Sequence, residues 1–149
     1  MSAREVTVTL PEPPSANRWW RHQRKQHHLS EEARAYKDNV PVLVAAALNV
    51  TLHSLPLYPA GDVLVAITWR RKRASGDLDK RVPILLDALQ GVFYREDSQV
   101  AGLIAIRKDL ASEQEAGTIV VTVGPMMSFS IGDGQPSQSD VTGKEEAPQ

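Results

Sequence analysis

With 149 residues, 42% hydrophobic and 23% charged, the chain has the length and composition of one soluble globular domain that buries a core without staples. It has no cysteine, which excludes disulfides, thiolate zinc sites and a cysteine nucleophile. The formal net charge of −1 hides a segregation: from Gly124 onward four acids face the single Lys144, leaving 16 basic and 14 acidic side chains in the rest of the chain.

Met1-Ser2-Ala3-Arg4-Glu5 leads into alternating Val and Thr rather than a signal-peptide core, and no apolar run approaches the roughly 20 residues of a membrane span. A cytoplasmic protein is expected. Val6-Thr7-Val8-Thr9-Leu10 reads as a first strand, closed by Pro11, Pro13 and Pro14. Residues 11–29 read as a polar loop holding Trp19 and Trp20, and its stretch 17–28 carries Arg18, Arg21, Arg24 and Lys25 with no acid. Ser30 before Glu31-Glu32 marks a helix start, a capping hydroxyl followed by acids at the positive end of the dipole. That helix is expected to reach about Leu48, kinked or split by Pro41.

Val50-Thr51-Leu52-His53 reads as the start of a strand interrupted by Pro56 and Pro59. Asp62 to Trp69 alternates cleanly, with Val63, Val65, Ile67 and Trp69 on one side. A second helix is expected from about Lys80 to Leu89, with Val82, Leu85, Leu86 and Leu89 as its apolar stripe, Asp79 as its cap, Pro83 in its first turn and Gly91 as its stop. Val100–Arg107 and Thr118–Val123 are the last two strands. The pattern predicts an α+β single domain over residues 1–124, with one mixed β-sheet flanked by helices. Residues 125–149, rich in Ser, Gly, Gln and acid without apolar periodicity, are expected to be a disordered tail.

The chemistry concentrates between residues 70 and 97. Asp77 and Asp79 stand two apart, so in an extended stretch both carboxylates point one way. Asp97 follows the second helix, and a helix-length detour is expected to return it to the same neighbourhood. Arg70, Arg71, Lys72, Arg73, Lys80 and Arg81 surround the pair. Convergent carboxylates hold a hard divalent cation, and clustered cations hold a polyanion, so the pattern points to magnesium-assisted chemistry on a phosphate backbone. The same aspartates also suit ordinary loop and capping roles. Asp87, farther along the second helix, reads as one half of a structural ion pair or as a support behind the metal-binding acids. Arg18, Trp19, Trp20 and Arg21 suit phosphate contacts and base stacking, although a Trp there also suits the core.

Three spaced blocks then resemble the RusA-type Holliday junction resolvases. They are Pro13-Pro14-Ser15-Ala16-Asn17-Arg18 with Trp20-Arg21-His22, Ser30-Glu31 and Tyr36; Gly76-Asp77-Leu78-Asp79 with Leu86-Asp87-Ala88-Leu89 and Gly91; and Asp97 with Gln99-Val100. The likeness spans residues 6 to about 123. It implies a homodimeric, magnesium-dependent endodeoxyribonuclease that binds four-way junctions and nicks them symmetrically, with no organic cofactor. The essential acids of that family fall on Asp77, Asp79 and Asp97. The chain departs from the pattern at Lys80, where the family usually has Asn, and at Pro83, where it carries a lysine associated with catalysis.

The resulting expectation is that Asp77, Asp79 and Asp97 bind magnesium and position water, and that Lys80 supplies the missing positive charge. Asn17, Arg18, Arg21, Arg24, Arg70, Arg71, Arg73 and Arg81 are the expected DNA contacts. The rival reading is a non-catalytic branched-DNA-binding protein disabled by Pro83, and a third is a nuclease indifferent to branch structure.

Overall fold

The computed structural model describes residues 4–15, 20–23, 26–71, 77–109 and 116–126, with backbone alone at 20–23 and 26–28. Alternating Val6–Pro11 forms β1, and the equally alternating Val63–Arg70 forms β4, which lies at the heart of the sheet. Val100–Lys108 (β5) and Thr118–Pro125 (β6) complete a mixed sheet of order β1-β6-β4-β5. Both β1 and β4 run antiparallel to β6, whereas β5 runs parallel to β4. The expected α+β fold with one mixed sheet is therefore observed.

Register turns the strand patterns into rows. On one face Leu10, Ile119, Trp69 and Arg107 lie side by side across the sheet, then Val8, Val121, Ile67 and Ala105. The members of these rows on β1, β6 and β4 are buried. Helix α1 (Glu31–Leu48) adds Ala33, Tyr36, Val40, Val44 and Ala45 to this core, and α2 (Leu78–Leu89) adds Ile84, Leu85, Ala88 and Leu89. The cover runs out at β5. Leu103 on the helix side and Ile104 and Ile106 on the other remain 45%, 45% and 48% exposed. Gly102 lets this strand lie close against Leu64, whose Cδ1 would sit 2.3 Å from an added Cβ.

Helix α1 starts as its sequence predicts, because Ser30 Oγ accepts the Ala33 amide at 3.1 Å. It runs to Leu48 and is not split at Pro41. Helix α2 starts two residues before the expected Lys80, so Asp77, not Asp79, takes the N-cap position. Pro83 then falls in the second turn, where its absent amide proton leaves the Asp79 carbonyl without its helical donor.

Two local expectations fail. Val50–His53 starts no strand. Leu52–Ser54 is a 3-10 turn in which Ser54 Oγ and N both donate to the Thr51 carbonyl, at 2.6 and 3.1 Å. A side chain that hydrogen-bonds its own backbone competes with strand pairing. The stretch read as a polar loop contains instead a hairpin of β2 (Trp20–Gln23) and β3 (Gln26–Leu29), pairing Trp20 with Leu29 and His22 with His27. Polar residues on both faces give such strands no alternating signal.

Candidate active-site groove

Between the first turns of α2 and the outer part of β5 lies an open groove of about 750 Å³, lined by Asp77, Leu78, Asp79, Val82, Pro83, Leu103, Ala105 and Arg107. One wall is the start of the helix and the other is the outer half of β5, where Leu103 stays exposed. Asp77 has extended backbone, φ −98° and ψ 136°, and its side chain makes no capping hydrogen bond. Its carboxylate instead faces Lys80, with Oδ2 3.4 Å from Nζ. Asp79 is the second helical residue, exposed and in the first turn, where the helix dipole favours a negative charge.

Two exposed carboxylates in an open groove suit magnesium, which keeps several waters and takes one or two protein carboxylates together with substrate phosphate oxygens. Asp97 does not join them. Among the described residues, no three acids or histidines gather closely enough to hold a metal ion. Topology explains why. Helix α2 is the crossover between parallel β4 and β5, so it starts at the C-terminal end of that pair and delivers the chain to the N-terminal end. The detour carries Asp97 away from Asp77 instead of returning it.

Asp97 opens a short 3-10 turn, Asp97–Gln99, that leads directly into β5. Glu96 and Gln99 cap this turn reciprocally, and Gln99 Nε2 donates to the carbonyls of Tyr58 and Gly61, each at 2.9 Å. The turn is thereby tied to the body of the fold. Burial pushes the Tyr94 hydroxyl above its ordinary range, with the charges of Asp97 and Asp87 adding to the effect. Asp87 is in the structural ion pair expected of it, with Lys37 Nζ 3.3 Å from its Oδ2.

The expected DNA contacts divide into groups. Asn17, Arg18, Arg24 and Arg73 lie outside the described residues, and Arg21 is described through its backbone in β2. Arg70 ends β4 half-buried. Arg71 is buried and its guanidinium holds Asp109, whose carboxyl is kept below the usual range by that hydrogen bond and charge, with Arg107 adding. Arg81 is turned inward. It donates to the Pro13 carbonyl, pairs with Glu12 at 3.7 Å and lies 5.4 Å from the centre of the Trp69 ring. Trp69 Nε1 in turn donates to Glu12 Oε2 at 3.1 Å. The guanidinium groups of Arg71 and Arg81 are thus engaged within the protein.

Sequence reading missed Arg107 and Glu12. Arg107 reaches the groove through the β4–β5 register, which sets it beside Trp69. Its alternation with Leu103 and Ala105 was the available signal. Glu12 gave none, because its partners lie 57 and 69 residues away.

The family model described as "Endodeoxyribonuclease RusA" matches residues 11–123. The crossover junction endodeoxyribonuclease RusA of Shigella sonnei (strain Ss046) is 32% identical over 125 residues, covering 80% of this chain and 94% of that protein. The protein of the same name from Enterobacteria phage 82 is 32% identical over 124 residues, covering 80% and 93%. That from Escherichia coli O139:H28 (strain E24377A / ETEC) is 48% identical over 96 residues, covering 63% and 75%.

Proposed function

The chain belongs to the RusA endodeoxyribonuclease family, and from that premise we propose that it is a magnesium-dependent, structure-specific endodeoxyribonuclease that resolves Holliday junctions by paired symmetric nicks. The observation that carries this reading is the groove that exposes Asp77 and Asp79 together opposite Arg107. Magnesium held there polarises a phosphoryl group and lowers the pKa of an attacking water. Asp77 and Asp79 bind the ion and orient that water, and Arg107 and Lys80 offset charge on the phosphate. Arg18, Arg21, Arg24, Arg70 and Arg73 grip the backbone, which makes affinity fall steeply with salt.

The symmetry of the substrate asks for a homodimer, because two opposed scissile phosphates require two sites related by a two-fold axis. Strand β5 supports this assignment. Among the described residues it is the open edge next to β4, it spans nine residues, and it exposes Leu103, Ile104 and Ile106. A long apolar edge left open is an aggregation liability, and pairing with a second copy covers it. Antiparallel pairing of β5 with itself sets the start of one strand beside the end of the other. Asp97 of the partner subunit then comes to the Asp77–Asp79 end of the groove, and the acids that one chain keeps apart meet across the two-fold.

A synthetic four-way junction tests the function. Paired nicks are expected with magnesium, none with a chelator, and little inhibition by excess linear duplex. Tight junction binding without nicking under any divalent metal would establish the binding protein instead, and equal cleavage of linear duplex would establish a general nuclease.

Lys80 is proposed to replace the lysine absent at Pro83, since Pro83 lines the groove and Lys80 Nζ lies 3.4 Å from the Asp77 carboxylate that lines it too. Lys80→Ala is expected to slow single-turnover nicking by about a hundredfold, the usual cost of one lost charge-stabilising donor. Adding Pro83→Lys should recover much of that rate. An unchanged rate in Lys80→Ala rules the substitution out.

A further inference from the structure

We infer that Arg81 is a positioning residue for the reaction: its clamp on Glu12, Pro13 and Trp69 fixes the acid-bearing start of α2 and joins it to the loop that leads into the basic segment. The inference rests on the nuclease reading for its consequence, though not for the clamp itself.

Three observations converge on it. The N-cap side chain of α2 makes no capping bond, so the Asp77 carboxylate is left for other work and does not secure the helix start. The side chain that instead reaches from these first turns to the sheet is Arg81, at 18% exposure, stacked over Trp69 and paired with Glu12. Glu12 is shared, because its other oxygen accepts Trp69 Nε1 at 3.1 Å. One guanidinium thus ties the end of β1, the end of β4 and the start of α2. Its planar fork addresses a carboxylate, a carbonyl and an aromatic face together, which an ammonium group does not do.

The position makes the tie consequential. Arg81 lies two residues after Asp79 and four after Asp77, and Trp69 is the register partner of Arg107 on the opposite wall of the groove. Releasing the guanidinium therefore loosens the helix wall relative to the strand wall. Pro13, the other end of the clamp, precedes the residues that run on to Arg18 and Arg21. The acids at the start of the helix are held in place by a residue that touches neither the ion nor the DNA.

The test compares Arg81→Met, Arg81→Lys and Glu12→Gln with the wild type in the full chain. Readouts are amide hydrogen exchange over residues 77–85, the magnesium concentration for half-maximal junction nicking, and junction affinity without metal. Arg81→Met and Glu12→Gln should speed exchange and raise the magnesium requirement by about tenfold, in the range found for supports behind a metal site. Metal-free affinity should stay within about twofold. Arg81→Lys should fall between, and the double variant Arg81→Met/Glu12→Gln should be no worse than Arg81→Met. Unchanged exchange over 77–85 overturns the clamp. Weaker metal-free binding with a salt slope reduced by about one overturns it in favour of a direct phosphate contact. A lower melting temperature with the magnesium requirement unchanged shows a structural role only and overturns it as well. If the wild type nicks nothing, the nuclease reading falls while exchange still decides the clamp.

Discussion

Asp79→Asn should slow junction nicking by about a thousandfold and leave metal-free junction binding as tight as in the wild type or tighter. The size follows from the several kcal/mol of transition-state stabilisation that a bound metal supplies, with each 1.4 kcal/mol worth about tenfold in rate. Asparagine keeps the shape of the side chain and removes the charge that a hard cation needs. The fold should tolerate it. Asp79 is exposed and its carboxylate enters no described ion pair, so the loss to α2 is a favourable dipole interaction of about 0.3–1 kcal/mol. Binding should hold or improve because an unneutralised acid repels phosphate. Asp77→Asn should behave alike and also release Lys80 from its 3.4 Å partner. Single-turnover nicking in magnesium and a mobility shift in chelator measure the two halves separately. Nicking within tenfold of wild type in both variants would remove these acids from the chemistry.

Which parts of the molecule were legible beforehand follows from the range of the interactions involved. Period-two alternation in Val63–Trp69 and the stripe Val82, Leu85, Leu86 and Leu89 are properties of single elements, and both elements are observed. The Ser30 cap is a contact across three residues and was equally readable. The partnership of Arg81 with Glu12 spans most of the domain, and nothing local distinguishes it from a phosphate contact. Arg71 posed the same difficulty, since Asp109 meets it only because β4 and β5 pair in register to their ends. A basic cluster in a sequence therefore overstates the cations available to a ligand, because some neutralise acids brought in by the fold.

Asp97 taught a different lesson. Spacing along the chain suggested that the helix would bring it back, whereas handing the chain from β4 to a parallel β5 requires the crossover to end at the opposite end of the sheet. Hairpin β2–β3 escaped notice for a third reason: each strand carries a single apolar residue, Trp20 and Leu29, so apolar alternation never entered.

The position of Asp97 leads to the second large effect, a rescue between two inactive variants. Asp77→Asn and Asp97→Asn should each form dimers that nick the junction about a thousandfold more slowly than wild type, by the same loss of metal-supplied stabilisation. In a mixed dimer the two lesions fall together if each groove takes Asp97 from the partner subunit. One groove then carries both substitutions, and the other pairs an intact Asp77 with an intact Asp97. Co-refolded mixtures should regain activity in proportion to the mixed dimer, up to about a quarter of the wild-type rate for random assortment of two copies. The products should be single nicks, because only one strand of the junction meets a complete site. Sites built within one chain predict no rescue, since every groove in the mixture would then lack an acid. A charge on the β5 edge gives the complementary result. Ile104→Glu replaces an exposed apolar side chain, so the monomer should fold while the paired edge is disfavoured. Sedimentation should then find monomers, and nicking should be lost although Asp77, Asp79 and Asp97 are all present. Full activity from such a monomer would show that one chain completes its own site and that the open edge of β5 serves another purpose.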